Sequence, residues 1–348
     1  MIKLKNILLG TLFLIGTVAC GKGENAETSE PEKPVYNMSG FARGADVSWL
    51  TEMEKAGIKF YQTNGREMEC LALLRDLGMN AIRLRVWVNP VDGWCNKSDL
   101  VVKAQRAQQL GMRLMIDFHY SDTWADPGQQ TKPSAWKGLS FEELKSAVSA
   151  HTKEVLNALK AKEIIPEWVQ VGNETGNGML WNDGKADMSM KNYATLNNAG
   201  YDAVKTVFPN AKVIVHLQSG NDNSLYRWLF DGLKSNGGKW DVIGMSLYPK
   251  PDTWQTMNAA CIANINDMIA RYGSEVMICE VGMPWDEAQT ASQFLSELMI
   301  QLKAINKCMG IFYWEPQSYN NWKGYTLGAF DKTGKPTIAL SLFAAPTN

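Results

Sequence analysis

Histidine is scarce in this chain, with three copies among 348 residues. Three are too few for the histidine clusters that usually hold catalytic zinc. An excess of positive charge is also lacking, since 35 Lys and Arg residues face 36 Asp and Glu residues and the basic residues are scattered. Binding to phosphate backbones needs a basic surface, so the composition argues against a nucleic-acid partner.

The cysteines form no recognisable framework. Of the six cysteines, five follow Cys20, and their spacing matches neither a zinc site nor a disulfide scaffold. These five are Cys70, Cys95, Cys261, Cys279 and Cys308. We expect most of them to be small buried apolar residues. A bridge between Cys70 and Cys95 stays open at this stage.

The N-terminus has the features of a targeting segment. Lys3 and Lys5 precede the apolar run Ile7–Ala19, which is too short to cross a bilayer comfortably. Cys20 follows directly, as in bacterial lipoprotein signals, in which this cysteine is lipidated after cleavage. Thr17 stands where such signals prefer Leu, so a plain secretory signal is the alternative.

These features predict three segments. Residues 1–19 form the signal peptide, residues 20–36 form a flexible tether that is rich in Glu, Lys and Pro, and residues 37–348 form the folded domain. The protein would hang from a bacterial membrane by its lipidated cysteine, at the outer membrane or cell surface or in the periplasm.

From residue 41 onward, strand-like segments alternate with helix-like segments. Strands are predicted at Phe41–Trp49, Ala81–Trp87, Arg113–Tyr120, Glu167–Glu174, Lys212–Gln218, Asp241–Pro249, Val276–Gly282 and Gly310–Gln317. Helices are predicted at Glu67–Gly78, Asp99–Gly111, Phe141–Lys162, Lys191–Val207, Ser224–Ser235, Met257–Tyr272 and Ala288–Lys307. This alternation predicts a single (β/α)8 barrel. An open doubly wound sheet is the alternative, but Gly44-Ala45-Asp46 is not the Gly-rich turn expected after its first strand.

Two of the predicted strands end in a glutamate. Glu174 closes the fourth strand, and Glu280 closes the seventh after four apolar residues. Chemistry in (β/α)8 barrels takes place at the carboxyl ends of the strands, so the two carboxyl groups are predicted to face one site. Glycoside hydrolysis needs such a pair, because one group protonates the leaving oxygen while the other attacks the sugar or activates water.

Several further motifs accompany the two glutamates. They are Gly44-Ala45-Asp46-Val47-Ser48, Ile82-Arg83-Leu84-Arg85-Val86-Trp87-Val88-Asn89-Pro90, Asp117-Phe118-His119-Tyr120-Ser121-Asp122-Thr123-Trp124-Ala125-Asp126-Pro127-Gly128 and Tyr313-Trp314-Glu315-Pro316. Together they resemble glycoside hydrolase family 53, from about residue 41 to the C-terminus. The resemblance implies endo-β-1,4-galactanase activity on the galactan side chains of pectin, and it implies no cofactor.

The resemblance also implies roles for individual residues. Glu174, preceded by Asn173, matches the acid/base of a large clan of retaining glycosidases, and Glu280 matches the nucleophile. Retention through a covalent galactosyl-enzyme would need the two carboxyl groups roughly 5 Å apart. Asn173 would hydrogen-bond the 2-hydroxyl of the sugar at the cleavage point, and Trp314 resembles the clan's aromatic platform for that sugar.

Other side chains at the strand ends are candidates for binding the substrate. Because side chains alternate along a strand, Arg83, Arg85 and Trp87 share one face, and we expect Arg83 to pair with a carboxylate such as Glu280. The candidate substrate-binding residues besides Asn173 are Asp46, Arg83, Trp87, His119, Trp124, His216, Tyr248 and Trp314. The loop residues Trp124, Trp181 and Trp285 are expected to line flanking parts of the cleft, because pyranose rings stack on aromatic faces.

Three alternatives remain open. They are a metal-dependent barrel hydrolase that uses Asp117, His119 and His216, a clan relative that cuts another β-linked polysaccharide, and a surface lipoprotein that binds galactan without cutting it. Many bacterial members of the family hold calcium in a long loop after strand eight. The connection Gln317–Gly328 is short here, so no metal is predicted. We expect a monomer that binds polysaccharide.

Overall fold

The computed structural model describes residues 36–343. The signal peptide, the lipidated Cys20 and nearly all of the tether lie outside the described residues and stay predictions. Within the described range, the helices are too short or too polar to cross a membrane.

Eight parallel strands form a closed barrel in which β8 pairs with β1. The strands are β1 (Ala42–Asp46), β2 (Ala81–Val86), β3 (Arg113–Phe118), β4 (Trp168–Val171), β5 (Lys212–Leu217), β6 (Val242–Leu247), β7 (Glu275–Val281) and β8 (Cys308–Trp314). The surrounding helices are α1 (Leu50–Lys55), α2 (Cys70–Asp76), α3 (Lys97–Gln109), α4 (Phe141–Lys160), α5 (Met190–Val207), α6 (Asn223–Ser235), α7 (Trp254–Tyr272) and α8 (Ala288–Ala304). The predicted (β/α)8 barrel is therefore confirmed.

The barrel separates two apolar clusters because strand side chains alternate between its two faces. The larger cluster packs between strands and helices and includes Leu84, Val171 and Leu217. A smaller cluster fills the barrel interior with Ala42, Ala81, Met115, Trp168, Ile214, Val242, Met277, Cys279 and Phe312. Nearer the carboxyl ends, buried polar residues occupy the inward positions: Asp46, Arg83, Asp117, Gln170 and His216. The polar end of the interior is therefore where the site forms.

One predicted element was too long, and one helix was missed. Strand β4 ends at Val171, so Glu174 lies in the loop beyond the strand instead of closing it. The chain leaves the sheet at Gly172, which adopts a left-handed backbone with φ +87°. Helix α1 was not predicted, because its six residues are too few to show a helical period.

All five cysteines of the described range are buried and free. The bridge between Cys70 and Cys95, which the sequence left open, is therefore not formed. The expectation of small buried apolar residues is confirmed. Cys279, for example, belongs to the cluster inside the barrel.

Because Gly44 has no side chain, the Phe312 ring can pack directly against its backbone inside the barrel. The two residues are partners in the β1–β8 ladder, and a Cβ on Gly44 would overlap that ring. We expect Gly44→Ala to destabilise the barrel by about 1–3 kcal/mol, as overpacked cores usually are. Urea unfolding measures this loss, with Gly138→Ala as the control, since a Cβ there would meet no atom within 4 Å. Equal stability of the two variants would contradict the expectation.

Candidate active site

A cavity of about 340 Å³ opens at the carboxyl end of the barrel. Seven of the residues predicted from the sequence line it: His119, Trp124, Asn173, Glu174, Tyr248, Glu280 and Trp314. The other predicted residues, Asp46, Arg83, Trp87 and His216, do not line this cavity. The two predicted catalytic glutamates therefore share one cavity.

The loop after β4 carries Asn173 and Glu174 into the cavity. A Cβ on Gly172 would collide with the Thr175 side chain, so the tight turn there requires glycine. Asn173 donates from Nδ2 to the Ala125 carbonyl at 2.8 Å, which fixes the orientation of its amide. Glu174 follows in a left-handed conformation, with φ 45°, of the kind that concentrates at functional sites.

Arg83 is the buried cation that joins the strands beneath the cavity. Its guanidinium donates to Asp46 at 2.7 Å, to Asp117 at 3.0 Å and to the side-chain oxygen of Asn173 at 2.9 Å. It also forms the predicted ion pair with Glu280, at 2.9 Å. Arg83 therefore holds Asn173 and Glu280 from below the cavity, and Asp46 in turn holds Arg83.

A bulge between β6 and β7 directs Glu280 toward the cavity. Met245 pairs with Ile278 and the next residue, Ser246, pairs with Glu280, so Cys279 is an extra residue in β7. Such a bulge changes the direction of the side chains that follow it. The Tyr248 hydroxyl, just beyond the end of β6, donates to the Glu280 carboxylate at 2.8 Å.

Burial and charge place the two carboxyl groups in different surroundings. Burial raises the pKa of Glu174 to about 7. Burial also raises the pKa of Glu280, to about 8; the Arg83 guanidinium opposes this rise, and the Glu174 carboxylate adds to it. Only Glu280 has both a cation and a phenol hydroxyl to stabilise its anion. Both partners favour the ionised form of Glu280.

His119 reaches the cavity with a defined ring orientation. Its Nδ1 accepts hydrogen bonds from the Trp87 indole at 3.2 Å and from the Ala125 backbone at 3.1 Å. Its Nε2 therefore carries the proton and donates to Asp117 at 3.0 Å. Trp87 thus supports His119 and lines a smaller neighbouring cavity of about 130 Å³, together with Arg85.

Aromatic rings form one wall of the main cavity. Trp314 and Trp124 lie 5.9 Å apart between ring centroids, and Tyr325 packs edge-on against Trp314 at 4.7 Å. The Tyr325 hydroxyl donates to the Trp314 carbonyl at 3.2 Å. Sequence reasoning did not identify Tyr325, because a single tyrosine in a short loop carries no local pattern. Trp181 and Trp285 do not line this cavity.

Arg85 holds the aromatic wall from below. Its guanidinium lies 4.5 Å from the Trp124 ring centroid and 5.2 Å from that of Trp49, and it pairs with Glu315 at 2.7 Å. Burial raises the pKa of Glu315 to about 7, while Arg85 opposes the rise. Glu315 does not line the cavity, so this third buried carboxyl positions the wall.

Within residues 36–343, no group of three His, Cys, Asp or Glu side chains is arranged to hold a metal ion. Asp117 and His119 instead bond to each other, and Asp117 pairs with Arg83. The donor set around the cavity therefore does not fit a metal centre.

The sequence matches the model of Glycosyl hydrolase family 53 over residues 42–343. The chain belongs to this family. It is therefore a glycoside hydrolase.

Relatives cover most of this family 53 chain. A Niallia circulans protein named "Uncharacterized protein in bgaB 5'region" is 34% identical over 350 residues, which cover 88% of this chain and 94% of the relative. A probable arabinogalactan endo-beta-1,4-galactanase A of Neosartorya fischeri is 34% identical over 306 residues, or 80% and 85% of the two chains.

Solved structures match the family 53 barrel closely. One of two fungal beta-1,4-galactanases superposes with a TM-score of 0.81 at 28% identity, covering 88% of this chain and 99% of that chain. The family 53 catalytic domain of Ignisphaera aggregans superposes with a TM-score of 0.79 at 31% identity, covering 90% and 97%.

Proposed function

We propose that this protein is an endo-β-1,4-galactanase that cleaves galactan with retention of configuration. The observation that carries the proposal is the pair of glutamates, Glu174 and Glu280, which face one cavity with different partners. Family membership and the galactanases named among its relatives support galactan as the substrate.

In the first step, the Glu280 carboxylate attacks the anomeric carbon of the sugar at the cleavage point. The bond from that carbon to the glycosidic oxygen breaks, and Glu174 gives its proton to the leaving oxygen. Arg83 and Tyr248 keep Glu280 ionised and oriented for this attack. The products are a shortened chain and a galactosyl ester of Glu280.

In the second step, the Glu174 carboxylate takes a proton from water, and the water oxygen attacks the anomeric carbon. The ester bond breaks, which restores the Glu280 carboxylate and the protonated Glu174. Each step inverts the anomeric centre once, so the product keeps the β configuration.

Asn173 and Trp314 bind the sugar at the cleavage point. One N–H of Asn173 bonds to the Ala125 carbonyl, which leaves the other N–H for the 2-hydroxyl of the sugar. A hydrogen bond to that hydroxyl strengthens in the transition state and therefore contributes to the rate. Trp314 offers its ring to the C–H face of the pyranose.

We expect the protein to release reducing sugar from linear β-1,4-galactan but not from mannan or cellulose. Proton NMR of fresh digests should show the β-anomer before the α-anomer. If the α-anomer appeared first, the mechanism would be inverting. Cleavage of mannan or cellulose would indicate a clan relative of different specificity, and binding of galactan without cleavage would indicate a binding protein.

A further inference from the structure

The loop after β3 presents a carboxylate to the cavity, and sequence reasoning assigned no role to it. This residue, Asp126, is partly accessible to solvent and lines the cavity together with Glu174. Its Oδ1 accepts from the Gly128 backbone N–H at 2.8 Å, and its Oδ2 accepts from the Gln129 side chain at 3.0 Å. Both partners are uncharged, and within residues 36–343 no Lys, Arg or His forms an ion pair with Asp126.

The two hydrogen bonds leave Asp126 with lone pairs to spare. A carboxylate offers about four lone-pair positions, and these bonds fill a single position on each oxygen. Each oxygen therefore keeps a lone pair for a further donor. A sugar brings several hydroxyl groups and no charge, so a carboxylate that lines a sugar cavity can bind it by accepting hydrogen bonds from those groups.

Gln130 ties this loop to the loop that carries Glu174. Its side chain is buried, and its Nε2 donates to the Asn173 carbonyl at 2.8 Å and to the Asp126 carbonyl at 3.3 Å. The Gln130 carbonyl accepts from the Trp181 backbone N–H at 2.8 Å. The place of Asp126 relative to Glu174 is therefore already fixed in the free protein, which lowers the entropy cost of binding a sugar there.

Asp126 and Glu174 lie across the barrel from Glu280 and Trp314. The first two follow β3 and β4, the second two belong to β7 and β8, and these pairs of strands face each other in the closed barrel. In the proposed mechanism, the sugar at the cleavage point lies over Glu280 and Trp314, and Glu174 protonates the oxygen of the bond that breaks. The leaving sugar is attached through that oxygen, so it extends toward the side of Glu174 and Asp126.

We propose that Asp126 binds the leaving sugar by accepting hydrogen bonds from its hydroxyl groups. Asp126 is thus a substrate-binding residue on the other side of the cleaved bond from Trp314, and this role rests on the proposed function. A hydrogen bond to a charged acceptor is stronger than one between neutral groups. The contact forms only when a sugar, and not an aryl group, occupies the leaving position.

The ratio of kcat/KM on galactan to kcat/KM on phenyl β-1,4-galactobioside tests this role. Phenol takes the place of the leaving sugar in the second substrate, yet it still needs the proton of Glu174. Any disturbance of the acid therefore affects both substrates and cancels in the ratio. We expect Asp126→Ala to lower the ratio by about 10- to 100-fold, the usual effect of losing a hydrogen bond to a charged group.

Two further variants separate the carboxylate from the turn that it forms. Asp126→Asn keeps an oxygen for the Gly128 N–H, so the turn should survive, but the charge is lost and the ratio should still fall several-fold. Asp331→Ala is the matched control. Asp331 Oδ1 also accepts from the backbone N–H two residues further on, at 2.8 Å, but Asp331 does not line the cavity, so the ratio should stay unchanged.

A second measurement fills the leaving position with an added sugar. In a retaining enzyme, a hydroxyl group of a bound acceptor sugar can replace water: its proton goes to the Glu174 carboxylate, its oxygen attacks the anomeric carbon, and the ester bond to Glu280 breaks. With phenyl galactobioside as donor and galactobiose as acceptor, Asp126→Ala should lower the ratio of transfer to hydrolysis products by about tenfold or more.

Several results would overturn the proposal. An unchanged substrate ratio in Asp126→Ala, or an unchanged ratio of transfer to hydrolysis, would mean that the leaving sugar does not contact the carboxylate. A normal substrate ratio in Asp126→Asn would mean that the turn, and not the carboxylate, is what the substrate needs. Failure of the unaltered protein to cut galactan would contradict the proposed function itself, whereas normal cutting with unchanged ratios would contradict the role of Asp126 alone.

Discussion

Glu280→Ala is expected to lower kcat on galactan by about four orders of magnitude or more, because it removes the group that would form the covalent intermediate in the proposed mechanism. It also leaves Arg83 without one of its carboxylate partners at the cavity. Steady-state kinetics measure the loss. Glu275→Ala is the matched control, since Glu275 lies at the opposite end of the same strand and pairs with Lys212 away from the cavity.

Azide can test the role of Glu280 directly. Azide is a small anion that fits the space of the missing carboxylate. It should attack the anomeric carbon of an aryl β-1,4-galactobioside from the side on which that carboxylate lay, and it should yield the α-galactosyl azide. Recovery of the β-azide, or near-normal activity of Glu280→Ala, would show that Glu280 is not the nucleophile.

Glu174→Ala should slow galactan cleavage by roughly 10²–10⁴-fold, the usual contribution of a general acid or base. With a dinitrophenyl galactobioside, the rate of the first step should change little, because dinitrophenolate is a good leaving group and departs without a proton. Rapid-mixing kinetics should then show a burst of dinitrophenol followed by slow hydrolysis. Glu163→Ala is the control for the effect of placing alanine at a left-handed backbone position, since Glu163 also has a positive φ, of 58°.

Azide should give the opposite product in the Glu174→Ala variant, because Glu280 still forms the covalent intermediate there. An azide ion in the space left by the Glu174 carboxyl group would occupy the position of the attacking water and should yield the β-galactosyl azide. Equal slowing of galactan and the dinitrophenyl substrate would contradict the assignment of Glu174 as the acid.

The strand centres could be predicted from sequence because each is a short apolar run between helical segments. The run Val276-Met277-Ile278, for example, lies within β7. The pairing of Arg83 with Glu280 was predicted for a similar reason, since an arginine on the inward face of a barrel needs a carboxylate. These inferences use local pattern and charge alone.

The remaining features depend on contacts between distant segments. Tyr325 reaches the cavity because its loop folds back over Trp314. The left-handed turn at Gly172 moves Glu174 off its strand, and no pattern in the sequence distinguishes this glycine from the others.

The extra residue in β7 means that the pairing of this strand matters as much as the identity of its glutamate. Cys279 and Glu280 both face inward, because the bulge takes up one residue before Ser246 pairs with Glu280. If the same residues paired without the bulge, Cys279 would still face inward and strict alternation would turn the Glu280 carboxylate toward the helices. A regular strand with one residue fewer would keep the carboxylate inward. Among homologous barrels, an inserted or deleted residue in this strand can therefore preserve the site only when the bulge changes with it.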